Sequence, residues 1–258
     1  MNIKNIDNGN EFDFGRTSED YAKYRDIYPR SMYEKLISFG IGRNGQQILD
    51  VGSGTCVLPI NLYDTGAHFT SMDISDEQIK KGKKRAGERS IDFKVGPAED
   101  TGFPDYSFDA VTAVQCFHYF DAQKAADEFY RILKPEGKLC VIFMDWVPAK
   151  SEEIAEMEAL VLKYNPDWSG AGFSKYRYSL PSWTEGRFDL ETVHSYNEMI
   201  EFYKEAWIGR VRTCRGVGAS LSVDKAESFE REYRRLLEKR DDPLRLAHQR
   251  HIEIYRKV

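Results

Sequence analysis

The sequence predicts a doubly wound α/β fold on a mostly parallel sheet, and three observations predict it. From residue 47 to 146, short apolar runs alternate with helix-length amphipathic stretches, joined by little slack. The first run, Gln47-Ile-Leu-Asp-Val51, enters a Gly52-Ser53-Gly54 turn. The second run ends in an acid, Asp73, within Ser71-Met-Asp-Ile-Ser75. In sheets of this kind a ligand sits outside the carboxyl ends of the strands, where strand order reverses.

The elements follow in order. The spacing predicts strands at 47–51, 69–73, 91–95, 108–114 and 138–145, with helices at roughly 56–64, 76–87 and 122–133. Ser75 followed by Gln78 reads as a capping box, and Asp121 as the N-cap of the third helix. Pro135-Glu-Gly137 reads as a sharp stop before the strand that follows. Asp50–Gly54, Asp73–Ser75, Gly96–Asp100 and Gln115–Asp121 all fall at strand ends and converge on one edge of the sheet.

Outside that region the rhythm changes. Residues 1–10 read as mobile, and residues 1–40 as an N-terminal helical arm. Tyr21, Tyr24 and Tyr28 recur at helical spacing with Arg25 one turn after Tyr21. They are either simple core packing or the inner face of a lid over the nucleoside site. In the lid reading Tyr21 and Arg25 meet the cofactor and Tyr28 the substrate. Pro29 breaks this helix, and Ser31 can cap a second one ending at Gly40. Residues 41–258 form the core domain, with cap insertions at about 147–188 and 201–222. Within the first a helix is expected over 150–163 and irregular structure over 164–188; the second, a helix and loop over 201–221, is followed by a charged helix over 224–240. Strands at 188–199 and 244–258 complete the sheet at seven.

Bulk composition excludes several classes. With 258 residues, 41% hydrophobic and 31% charged, the chain is an ordinary globular protein with room for a large core. No apolar run reaches the eighteen or so residues of a membrane span, and the polar start is no signal peptide. The four cysteines are scattered, without a CxxC pair, and read as reduced thiols of a cytoplasmic protein. Net charge of −5 argues against nucleic acid as partner, although residues 208–258 carry thirteen Lys/Arg against eight Asp/Glu. Oligomeric state is not encoded in any recognisable pattern.

The glycine turn leaves two nucleoside cofactors open. Gly52 and Gly54 let a ligand approach the main chain closely. A dinucleotide fingerprint runs GxGxxG, with its third glycine at position 57, where this chain has Val57. An acid at Asp50 is also poorly placed beside a pyrophosphate and well placed beside an ammonium group. NAD-dependent oxidoreduction is therefore disfavoured.

The segments LDVGSGT, MDIS, GPAEDTGFPDYSFDAV, QCFHYFD and RILKPEGKL, in that order and spacing, resemble the class I S-adenosylmethionine-dependent methyltransferases. The nearest resemblance is to the small-molecule branch that includes trans-aconitate methyltransferase-like proteins. It covers about 47–146 closely, and the N-terminal arm and the segment after Glu205 more loosely.

That resemblance implies a Rossmann-like seven-stranded sheet whose final hairpin supplies one antiparallel strand. It implies S-adenosylmethionine as cofactor and S-adenosylhomocysteine as product. By position, Gly52, Ser53 and Gly54 pack against the methionyl part with Asp50 near its amino group. Asp73 takes both ribose hydroxyls, since a carboxylate offers two acceptor oxygens. Ile74 lies on the adenine face, Ala98 and Glu99 border the adenine edge, and Gln115, Cys116 and Phe117 line the methionyl and sulfonium region.

Two positions depart from the family: Cys56 stands where a third glycine is usual, and Pro97 where many members have Asp. They keep a reading open in which the chain binds the cofactor but transfers no methyl group.

The expected reaction is in-line methyl transfer to an O, N or C nucleophile of a small molecule. His118 is the candidate base for a hydroxyl or amine acceptor, with a structural role as its competitor. Tyr119 is expected in the pocket wall, and Arg212, among Arg210, Arg212 and Arg215, as a clamp for a substrate carboxylate. His248 and His251 are expected at the surface, and no metal site is expected.

Overall fold

The computed structural model describes residues 6–258. In chain order its elements are α1 (Ser18–Tyr24), α2 (Arg30–Ser38), β1 (Gln47–Val51), α3 (Val57–Leu62), β2 (His68–Asp73), α4 (Asp76–Ala86), β3 (Asp92–Val95) and β4 (Phe108–Val114). Then come α5 (Ala122–Ile132), β5 (Leu133–Trp146), α6 (Glu152–Tyr164), β6 (Phe188–Phe202), α7 (Lys204–Arg212), α8 (Val223–Leu237) and β7 (Leu244–Lys257). The seven strands form one sheet in the order β3-β2-β1-β4-β5-β7-β6. Pairs β3–β2, β2–β1, β1–β4 and β4–β5 are parallel, so strand order reverses between β1 and β4. At the far edge, Val258 N–H donates to Arg187 O, while Gln249 reaches Asn197, which runs β7 and β6 antiparallel.

The chain groups into two compact units, one made of Tyr28–Phe143, Arg177–Ser195 and Arg250–Val258. Alternation along β1 divides its core between the two faces of the sheet. Leu49 and Val51 pack with Val111, Ala113 and Phe129 of α5, whereas Ile48 packs with Met32 and Leu36 of α2 and Leu58 of α3. The helix signals act as expected at α4 and α5. Ser75 Oγ accepts the Gln78 N–H at 3.4 Å, and Asp121 Oδ1 accepts that of Lys124 at 3.3 Å. Asp76 and Glu77 in the first turn of α4, and Lys83, Lys84 and Arg85 in its last, complement the helix dipole.

Three local expectations need correction here. Tyr28 lies beyond α1, which ends at Tyr24, and is packed against the α2 side of the core. Ser31 is inside α2, whose N-cap position is Pro29. Pro135-Glu-Gly137 does not stop the chain before a strand; it is a bulge within β5. Phe108 pairs with Leu133 while Ala110 pairs with Lys138, and Glu136 takes φ 61° to absorb the extra residues.

The other unit comprises the described part of Met1–Ile27 together with Met144–Tyr176 and Tyr196–Gln249. Its core joins Ile154, Met157 and Val161 of α6, Trp207 and Val211 of α7, and Phe229 and Tyr233 of α8. Residues 1–5 lie outside the described residues. Asp7 is not part of a loose terminus, because its carboxylate accepts the Ser169 N–H at 2.7 Å and pairs with Arg215 at 2.9 Å.

The two histidines expected at the surface are buried, at 0% exposure for His248 and 1% for His251. Arg210 explains His248: its guanidinium lies over the rings of Trp146, Trp207 and Phe202 and donates to His248 Nε2 at 2.9 Å. In the other unit, Glu253 meets His251 Nε2 at 2.8 Å and accepts the Tyr255 hydroxyl at 2.5 Å. A terminal strand looks exposed in sequence, but β7 lies between β5 and β6.

Candidate cofactor site

The parallel strands of the sheet unit deliver their carboxyl ends side by side. Register places Val51 next to Met72 and Ala113, and Asp73 next to Val95. The loops after β1, β2, β3 and β4 therefore emerge together on either side of the order reversal, which is where such sheets bind nucleosides.

The glycine turn is shaped by close approach. Gly52 has φ 59°, and a Cβ there would stand 2.7 Å from Cys116 Cβ, so a side chain is barred by both conformation and space. Ser53 N–H donates to Met72 O at 3.0 Å, and Ser71 Oγ donates to Ser53 Oγ at 2.6 Å, which binds the turn to β2. Cys56 adopts the left-handed conformation (φ 65°, ψ 38°) as the N-cap residue of α3. That is the conformation glycine adopts most readily. The Cys56 departure thus leaves the turn's path intact, at the cost of strain.

Asp73 joins two loops. Its Oδ2 accepts the Gly54 N–H at 2.8 Å and its Oδ1 accepts the Ser75 N–H at 2.9 Å. Each oxygen keeps a lone pair for a further donor. Burial raises its pKa, against these amide donors, which favour the charged form. Ile74 beside it is 55% exposed, an apolar side chain left uncovered next to an acid.

Asp50 is only 2% exposed. Burial lifts its pKa to about 7, helped by the charge of Asp73 and opposed by the hydroxyl of Thr112, which donates to Oδ1 at 2.6 Å. Sequence reasoning missed Thr112. A polar residue in the middle of the apolar strand FDAVTAV was the available signal.

Ala98 is buried after β3, and Glu99 accepts the Asp121 N–H at 2.8 Å, fixing that loop to the start of α5. Gln115 takes φ 59°, a kink that turns the chain sharply off β4. Cys116 packs under Gly52, with its thiol 3.2 Å from Val51 O. Phe117 belongs to the core, packed on Trp183, Phe120 and Phe129. His118 is exposed, its ring 3.9 Å from that of Tyr119 and 5.8 Å from Phe143.

Three expected site residues fall in the helical unit. Arg25 lies over the Tyr21 ring and donates to Thr213 Oγ1 at 2.8 Å. Arg212, expected as a substrate clamp, instead pairs with Asp20 at 2.7 Å and Glu230 at 2.9 Å. Two carboxylates of its own unit occupy the guanidinium, so the clamp role is withdrawn. Among the described residues no group of three or more His, Cys, Asp or Glu side chains could hold a metal.

Comparison with known proteins decides the family. Residues 49–141, from β1 into β5, match the family model described as a methyltransferase domain. A ubiquinone/menaquinone biosynthesis C-methyltransferase of Rickettsia akari is 31% identical over 167 residues, covering 52% of this chain and 67% of that protein. The chain belongs to the class I S-adenosylmethionine-dependent methyltransferases.

A demethylmenaquinone methyltransferase of Clavibacter sepedonicus is 35% identical over 99 residues, which span 38% of this chain and 40% of that protein. The match thus spans well under two thirds of that relative. Among solved structures, a phosphoethanolamine N-methyltransferase of Haemonchus contortus is 17% identical with a TM-score of 0.54, covering 92% of this chain and 57% of that one. That protein was solved with phosphomonomethylethanolamine and S-adenosylhomocysteine, and at this identity the likeness is one of fold. These matches do not single out the trans-aconitate branch.

The cofactor of this family is S-adenosylmethionine, and the residues present fit it. The Gly52 cradle admits a ligand against the main chain, Asp73 has acceptors for a pair of hydroxyls, and exposed Ile74 offers an apolar face for a base. The four thiols are free and buried, and no helix among the described residues is long and apolar enough to cross a membrane.

Proposed function

We propose that the protein transfers a methyl group from S-adenosylmethionine to a nucleophile on a small, planar molecule. The observation that carries the reading is Asp73, held by the amides of Gly54 and Ser75 beside uncovered Ile74 at the strand-order reversal. In this reading Gly52, Ser53 and Gly54 hold the methionyl part, and Asp50 supplies negative charge for its amino group. Asp73 takes the ribose, Ile74 the adenine face, and Ala98 and Glu99 the adenine edge. Gln115, Cys116 and Phe117 border the sulfonium region.

The cofactor supplies a methyl group already activated by its sulfonium. The chain's own task is to align donor and acceptor in line and keep water away. His118, exposed just after β4, is the proposed base for the proton of a hydroxyl or amine acceptor. Its ring, with those of Tyr119 and Phe143, offers a stacking surface for a planar acceptor. Relatives named for quinone substrates agree with an acceptor of that shape. Tyr21 and Arg25 remain proposed as cofactor contacts and Tyr28 as a substrate contact, and a cytoplasmic location belongs to the same reading.

Incubation of the protein and S-adenosylmethionine with quinols, phenols and small acids, followed by mass spectrometry, tests this reading. A methylated quinol or phenol is the expected product. Thermal stabilisation by NAD but not by S-adenosylmethionine would contradict the cofactor assignment.

A further inference from the structure

Asp50 stands in a row of buried side chains that crosses four neighbouring strands. Register aligns Ser71 of β2 with Asp50 of β1, Asp50 with Thr112 of β4, and Thr112 with Cys140 of β5. Residues paired in register point to the same face. Exposure along the row is 0, 2, 0 and 0%.

The charge acting on Asp50 is that of another acid, and the titratable groups beside it are thiols. From β2 it faces Asp73, a like charge. After β4 it faces the Cys116 thiol, which burial pushes well up, with Asp50 and Asp73 adding to the effect. From β5 it faces Cys140, pushed up by burial and then by Asp50 and by Glu253 of β7, with Lys138 acting the other way. From the start of α3 it faces the Cys56 thiol, raised to about 12 by burial and opposed by Arg85, which donates to Thr55 O at 3.0 Å and Thr55 Oγ1 at 2.9 Å. The only one of these groups acting to keep Asp50 ionised is a hydroxyl, Thr112.

A carboxylate this deeply buried beside another acid, with no cation acting on it among the described residues, is expensive, and it holds a proton until a cation arrives. The Thr112 hydroxyl has one proton to give. It lies 2.6 Å from Asp50 Oδ1 and 3.5 Å from Leu49 O, so the proton goes to Asp50. We propose that Thr112 is a positioning residue that orients Asp50 as a proton-carrying receptor for the cofactor's amino group, so that cofactor binding expels the Asp50 proton to solvent. The balance is simple: neutral Asp50 and an ammonium ion become a carboxylate–ammonium pair and one released proton. No bond to carbon changes. The inference rests on the S-adenosylmethionine assignment above and adds a proton-linked affinity to it.

The test is calorimetry with S-adenosylhomocysteine, which carries the same amino group and cannot react. Titrations at about pH 6, where an α-amino group is fully charged, are run in two buffers of different ionisation enthalpy. Release approaching one proton per site is expected from the protein as it stands. Asp50→Asn should release none, and its affinity should lose the rise of up to about tenfold per pH unit expected below neutrality. Thr112→Val should weaken binding and move the midpoint of that rise to higher pH, with Thr112→Ser restoring both.

No release from the unaltered protein, or equal release from Asp50→Asn, would overturn the inference while leaving the cofactor assignment standing. A Thr112→Val variant that loses affinity equally at every pH would make Thr112 merely structural and overturn its part. Absence of S-adenosylhomocysteine binding at any pH would overturn the cofactor assignment and the inference together.

Discussion

The carboxylate of Asp73 accepts the backbone N–H of Gly54 at 2.8 Å, fastening the end of β2 to the turn that follows β1. One acid therefore shapes the glycine turn and, in the proposed function, takes the ribose. Its second oxygen holds Ser75, which caps α4. The two motifs seen in sequence, the turn and the downstream acid, are thus mechanically one.

Gly52→Ala should cost about 2 kcal/mol or more, combining a positive φ with crowding in a packed interior. A Cβ there meets Cys116 Cβ at 2.7 Å, so Cys116→Ala, which keeps that atom, should not rescue it. Denaturant midpoints of the single and double variants check this. Full recovery in Gly52→Ala/Cys116→Ala would show that the thiol, not Cβ, sets the limit.

Cys56 should reverse the usual order of glycine and alanine. Alanine is ordinarily the more stabilising within an element, but the left-handed backbone at Cys56 penalises any Cβ by about 1–2 kcal/mol. Cys56→Gly should therefore be at least as stable as Cys56→Ala in urea unfolding. A clearly more stable alanine variant would argue that packing of the buried Cβ outweighs backbone strain.

Asp50 should make the cofactor-free protein lose stability as pH rises. Its pKa of about 7 in the folded chain lies above the ordinary 3.8, so the folded state holds the extra proton. The associated stability is fully present below about pH 4 and lost as pH rises through about 7, by up to about 4 kcal/mol. Urea midpoints at mildly acidic and mildly basic pH should fall less in Asp50→Asn. Parallel falls in both proteins would place the titration elsewhere.

Arg212→Ala should destabilise the helical unit by about 1 kcal/mol, because it removes the partner of partly buried Asp20, while Glu230 keeps Arg234 at 2.8 Å. Thermal melts with Arg212→Lys as the conservative control measure it. An unchanged midpoint in Arg212→Ala would show that the pairs are too solvated to matter.

How legible the molecule was in sequence depended on whether a feature was local. Strands 47–51 and 108–114 were readable to the residue because apolar runs bounded by turn residues mark their own ends. So were the caps Ser75 and Asp121, which act on amides three residues away. The bulge at Pro135–Gly137 was not, since Pro and Gly mark a break without saying whether pairing resumes. Arg212, His248 and His251 were misjudged because their partners Asp20, Arg210 and Glu253 are set by packing between distant segments or by strand burial. Within the site, the acids and glycines were visible by type and spacing. Thr112 was hidden because its importance comes from its register beside Asp50.

The most direct test of the central claim is the affinity of S-adenosylmethionine for the protein and for Asp73→Ala, each shown to be folded by circular dichroism. Asp73→Ala should bind at least about tenfold more weakly, the loss expected when charged hydrogen bonds to ribose hydroxyls are removed. A folded Asp73→Ala protein with unchanged affinity would contradict the account.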